Sequence, residues 1–104
     1  MNEIVDYDKA FLAYNRSMTL GSTEALFPLG LMYAYNLTDY AKSNNNLATA
    51  LTYYYFSALD DHIEGQLALG FRHYNGVGAP KNCKTASHYY KLAAEKVVAE
   101  QEND

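Results

Sequence analysis

The chain of 104 residues has one cysteine, two prolines, no tryptophan, and eight Lys and Arg against twelve Asp and Glu. Each scarcity excludes something. A single thiol, Cys83, cannot close an intrachain disulfide. Scattered cations in a chain of net charge −4 make no basic stripe, so nucleic acid is not an expected partner. The longest apolar run, "ALFPLGLMYAY", contains a proline and is about half the roughly 20 residues that cross a bilayer, so direct membrane insertion is not expected either. The opening "MNEIVDYDKAF" is acidic where a secretory leader would be basic. Ile and Val total six, few for a sheet-rich core.

What remains is rich in Ala, Leu and Tyr, a composition that favours helices, in a length suited to one domain. The helices repeat. In "DYDKAFLAY", "NLATALTYY" and "NCKTASHYY" an Asp or Asn stands four residues before an Ala, and a Tyr four residues after it: Asp6, Ala10, Tyr14; Asn46, Ala50, Tyr54; Asn82, Ala86, Tyr90. Met18, Ala58 and Ala94 continue the series about one turn on. Asp and Asn cap helices because the side-chain oxygen accepts from an otherwise unpaired backbone N–H, and steps of four keep the marked residues on one face. A small Ala admits a neighbouring helix, and the Tyr ring covers the crossing. These B helices are expected over 7–18, 47–60 and 83–99.

A second pattern lies between them. "ALFPLGLMYAY" and "GQLALGFRHYN" superpose with Leu29 on Leu69 and Gly30 on Gly70, each Leu nineteen residues past the Ala of the preceding B helix. A glycine inside a helix costs about 1 kcal/mol relative to Ala, so its recurrence points to close contact between helices. These A helices are expected over 24–36, capped by Ser22 or Thr23 and delayed or kinked at Pro28, and over 62–75, where Asp61 and Glu64 suit a capping box. Asp60 and Asp61 read as groups at a helix start rather than as paired catalytic carboxylates. "YNLTDYAKSNNN" reads as a polar surface loop, and 100–104 as a polar tail.

"NGVGAPKN" could wrap a phosphate, but such a loop needs its glycines after a strand and before a helix N-terminus. Here they follow a helix. Gly76 fits the left-handed position that ends a helix, Gly78 continues the turn, Pro80 blocks a restart and Asn82 caps the next helix. His62 and His73 lie about 16 Å apart along a helix and cannot share an ion. Cys83 and His88 point roughly 140° apart on theirs, with no further zinc ligand supplied. No catalytic residue, metal or cofactor is expected.

With Ala, Leu-Gly, Gly-x-Gly and Tyr-Tyr-x-x-Ala-Ala in this order, the chain resembles the Sel-one-like repeat family, relatives of the tetratricopeptide repeat. Leu69, Gly70, Tyr74, Gly76, Gly78, Ala86, Tyr89, Tyr90, Ala93 and Ala94 carry the resemblance in the last repeat. Leu29, Gly30, Tyr33, Ala50, Tyr53, Tyr54 and Ala58 carry it in the repeat before, which lacks the glycine loop. The resemblance implies an all-α fold, a right-handed αα-solenoid of about five helices: half a repeat at 7–18 and repeats at 24–60 and 62–99. The disulfide-rich bacterial branch, with a cysteine pair in each repeat, does not match a chain with one Cys.

Such solenoids are scaffolds rather than enzymes and present a concave face of A helices to a protein or peptide. By elimination from the Leu-Gly-x-x-Tyr pattern, that face is expected to include Leu31, Met32, Tyr35, Phe71, Arg72 and Asn75, with Tyr55 of "YYYF" also left for a partner. Two and a half repeats suggest a longer array or self-association through an uncapped end. "ALTYYYFSAL" and "NCKTASHYYKLAAEKVVA" look most like the N-terminal repeats of the family's adaptor in the ubiquitin-ligase complex of endoplasmic-reticulum-associated degradation. That implies a lumenal segment holding clients, lectins or ligase components together. Glycosylation sequons at Asn15 and Asn36 would suit the compartment, Asn36 better because it falls at a helix end. The alternatives are a cytoplasmic signalling adaptor of the same family and a hydrolase using Cys83 and His88.

Overall fold

The computed structural model describes residues 6–102, and among them five α-helices, one 3-10 turn and no strand. Helix α1 is Tyr7–Thr19, a 3-10 turn at Thr23–Ala25 leads into α2 (Leu26–Ala34), and α3 (Asn46–Leu59), α4 (Ile63–Asn75) and α5 (Cys83–Glu102) follow. Each helix packs mainly on its neighbours in sequence, which makes the architecture an αα-solenoid. Residues 1–5 of the acidic opening and 103–104 of the expected tail lie outside the described residues. Glu100 and Gln101 continue α5 instead of forming a tail.

The helix ends show the repeat most directly, because the same hydrogen bonds recur forty residues apart. After α1, the Gly21 amide donates to the Met18 carbonyl and Ser22 to Ser17; after α3, Asp61 donates to Ala58 and His62 to Ser57, all at 2.9–3.1 Å. After α2, Leu37 donates to Met32, and after α4 Val77 donates to Arg72. A left-handed residue makes each turn: Gly21, Asp61, Asn36 and Gly76. Asn and Asp are the side chains that best tolerate this conformation, so Asn36 replaces the glycine the first repeat lacks.

That geometry corrects several expected caps. Asp61 is consumed by the turn, so the cap position of α4 falls to His62, which makes no side-chain cap bond. Asn45, not Asn46, caps α3 by accepting from the Ala48 amide, because the Asn46 side chain is occupied by the Ser43 amide. Ser22 precedes the 3-10 turn without a side-chain cap. Asp6 and Asn82 do cap, accepting from the Lys9 and Thr85 amides. Pro28 sits in the first turn of α2, where a missing donor costs little.

The core is built on two glycine crossings. A methyl group on Gly30 would stand 2.6 Å from the Tyr54 ring and 3.2 Å from the Ala50 carbonyl oxygen; one on Gly70 would stand 2.8 Å from the Tyr90 ring. The bare glycine is therefore the seat of an aromatic ring from the following B helix. Leu29 and Leu69 fill the space beside these seats and are buried. Tyr33 stacks on Tyr53 with ring centres 5.5 Å apart, and His73 stacks on Tyr89 at 6.2 Å. His73 thus occupies the position assigned to Tyr74, which is exposed because it lies one residue off that face. Likewise Ala93 faces inward while Ala94 is exposed, since no described helix follows α5 to cover it.

The polar-loop expectation also needs correcting. Thr38 and Ala41 are buried, Tyr40 stacks on Phe11 at 6.0 Å, and the Thr38 hydroxyl donates to Asp8. The connection from α2 to α3 covers α1, helping to enclose a cluster of Phe11, Ala25, Leu29, Met32 and Ala41.

Candidate interaction groove

The A helices α2 and α4 lie on the same side of α3, and an open groove of about 320 Å³ runs between them. Tyr54 of α3 forms its floor. Phe27, Leu31 and Tyr35 form one wall, spaced four residues apart on α2, and Leu67, Ala68 and Phe71 form the other on α4. Leu31, Tyr35, Phe71 and Arg72 of the expected face are brought together here. Phe27, Leu67 and the floor position of Tyr54 escaped the sequence reading, although a step of four from Leu31 and Phe71 leads to the first two.

Three expected residues lie elsewhere. Met32 is 5 % exposed and packs inward, because it lies three residues past buried Leu29 on the same helix face. Asn75 is exposed, but its side-chain amide donates to the Phe71 carbonyl at 3.0 Å and does not line the groove. Tyr55 lines a separate hollow with Phe56, His73 and Pro80.

The groove is apolar with one buried charge. Arg72 is 8 % exposed and shares the groove lining with Tyr54, where its positive charge acts on the phenol. Burial pushes the Tyr54 phenol up from its ordinary pKa of 10.0, the Arg72 charge pulls it back, and neighbouring Tyr35 raises it again. Glu64, on the rim, stands two turns of α4 away from Arg72, about 12 Å.

A second polar cluster joins the repeats. The Thr23 hydroxyl donates to Asp60 and lies 2.9 Å from His62 Nε2, itself 3.3 Å from Asp60. A nucleophile relay needs the hydroxyl on one ring nitrogen and the carboxylate on the other. Here both meet Nε2, so the cluster ties the 3-10 turn to the α3–α4 turn. Cys83 and His88 are exposed on α5, where the His88 ring packs edge-on against Tyr89. Among the described residues no group of three His, Cys, Asp or Glu could hold a metal ion, and no helix is long and apolar enough to cross a membrane. Asn15 is half-buried within α1, whereas Asn36 is exposed in the loop.

Helix pairs stacked in sequence beside an open groove of A helices define a helical-repeat solenoid. No family model matches the chain. Protein sel-1 homolog 2 of Homo sapiens is 34 % identical to it over 79 residues, and the protein of that name from Mus musculus is 33 % identical over the same length. Each match covers 75 % of this chain but 11 % of the relative, so the chain spans about a tenth of the length of the curated relatives it matches. A protective antigen of uropathogenic Escherichia coli displaying an SLR fold superposes with a TM-score of 0.72 and 24 % identity over 88 % of this chain and 19 % of that one. A Sel1 repeat protein from Oxalobacter formigenes gives 0.72 and 20 % over 83 % of this chain and 63 % of that one. The chain belongs to the Sel1-like repeat family.

Proposed function

We infer that the chain is a protein-binding scaffold segment with no catalytic role, and that it forms part of an adaptor for the ubiquitin ligase of endoplasmic-reticulum-associated degradation, acting in the lumen. The observation that carries the binding reading is the groove, where Tyr35 and Phe71 stand exposed over a floor of Tyr54. Apolar side chains grouped around a concave surface suit a partner better than water. The degradation role draws support from the similarity to the sel-1 homologues and from the stretches "ALTYYYFSAL" and "NCKTASHYYKLAAEKVVA". Asn36 is the accessible glycan acceptor that a lumenal location would use.

Immunoprecipitation of the full-length protein from cells, with and without Leu31→Asp and Phe71→Asp together, tests both levels. The expected result is that the wild type retains ligase subunits and degradation clients, and that the folded double variant loses one of these groups. A wild type recovered only with cytoplasmic partners would shift the reading to a signalling adaptor. Equal recovery by both proteins would remove the groove from binding.

A further inference from the structure

We propose that the groove between α2 and α4 takes a segment of a partner protein in which an Asp or Glu side chain, flanked by apolar side chains, sets its carboxylate on Arg72. This rests on the protein-binding reading above. Arginine is rarely buried without an anion, because a charge withdrawn from water needs a partner of opposite sign. Arg72 is 8 % exposed, yet among the described residues no carboxylate lies at ion-pair distance from it. The Tyr54 hydroxyl can accept only part of what five guanidinium N–H groups offer.

Packing does not demand the arginine. Met32 holds the equivalent position in the first repeat, forty residues earlier, and is buried there. An unbranched apolar side chain therefore satisfies the fold at this place, and the charge at 72 needs another explanation. Charge along the groove supplies the occupant's chemistry. Glu64 stands at the far end, two helical turns from Arg72 and not in ion-pair contact with it, so the Arg72 charge is left for an occupant. The guanidinium fork matches a carboxylate in shape as well as charge, and Tyr35 lines the same groove as Tyr54. Leu31, Leu67 and Phe71 flank this point and suit the apolar neighbours of the acidic residue.

Selection of displayed random peptides on the immobilised chain provides a probe. A selected peptide and its glutamate-to-glutamine (or aspartate-to-asparagine) counterpart are then titrated by fluorescence anisotropy against wild type, Arg72→Met and Arg72→Lys, each first checked for helicity. Retained peptides should carry an acidic residue among apolar ones. On wild type the acid form should bind about ten- to hundredfold tighter than the amide form. That ratio should vanish on Arg72→Met and persist in part on Arg72→Lys. If Arg72→Met fails to fold, the wild-type ratio, its decline with salt and its loss on the rim variant Phe71→Asp decide instead. Peptides retained without an acidic residue, or an acid-to-amide ratio unchanged by Arg72→Met, would overturn the proposal and leave the binding module standing. Retention of no peptide by the folded wild type would overturn both. A dimer that dissociates on Arg72→Met would give the groove to a second copy and also refute a partner segment.

Discussion

Tyr54 and Tyr90 rest on equivalent glycines, yet Tyr54 is 1 % exposed and Tyr90 37 %. The difference lies beyond the crossing itself. Tyr54 is enclosed from further sides: α4 brings Arg72 to its hydroxyl, and the Phe27 ring lies 5.6 Å away. Tyr90 has the glycine seat but no described helix beyond α5. Ala58 and Ala94 show the same contrast, buried and exposed, because Gly65 brings the α4 backbone onto Ala58. The motif sets how two helices meet, while burial is completed by the next pair.

The largest test of this contrast is truncation of the two rings. Tyr54→Ala is expected to cost about 3–5 kcal/mol in urea unfolding, the range for removing a buried aromatic, and Tyr90→Ala less than half as much. Equal losses would show that the next helix adds nothing. Filling the seats should give a smaller difference. At Gly30 the new methyl group meets an enclosed ring and a carbonyl oxygen, so Gly30→Ala should lose about 1–2 kcal/mol after the gain in helix propensity. At Gly70 the obstacle is the partly exposed Tyr90 ring with no backbone atom among its nearest neighbours, so Gly70→Ala should lose less, about 1 kcal/mol or under, by the same measurement.

The smallest effect concerns the turns. Asp61 takes the place of Gly21 and adds a carboxylate, which a Lys96 hydrogen bond and then one from Gln66 hold below its ordinary pKa of 3.8. Because the folded-state pKa is depressed, the stabilisation is present above 3.8 and disappears as pH falls through the folded value. Melting temperatures of wild type and Lys96→Met should differ slightly near neutral pH and converge well below that value. A gap that persists in acid would assign the effect to the Lys96 hydrogen bond on the Asp61 main-chain carbonyl rather than to the carboxylate.

The helices were legible because small and aromatic side chains recur at steps of four, a spacing that a single helix face imposes. Caps were less legible. Three successive asparagines, Asn44, Asn45 and Asn46, offer the same chemistry, and only the local demand of the Ser43 amide on Asn46 selects Asn45. The resemblance counts Tyr74 among the repeat positions. The forty-residue offset places His73 there, and an imidazole ring stacks on Tyr89 equally well. On the groove, Leu31, Tyr35, Phe71 and Arg72 are legible as positions the motif leaves free, whereas Phe27 and Leu67 emerge only as the continuation of the same helix stripe one turn earlier. Met32 was misplaced because a position free in the motif is not thereby free in space.

The segment between α2 and α3 settles whether these repeats are interchangeable bricks. It carries Tyr40 and Ala41 onto Phe11, so grafting the short Gly76–Pro80 turn in its place would unroof α1. The first repeat is tailored to what precedes it, whereas the outer side of α5 keeps Ala94 and Val98 exposed around an open apolar hollow, so the two repeats could not trade places without loss.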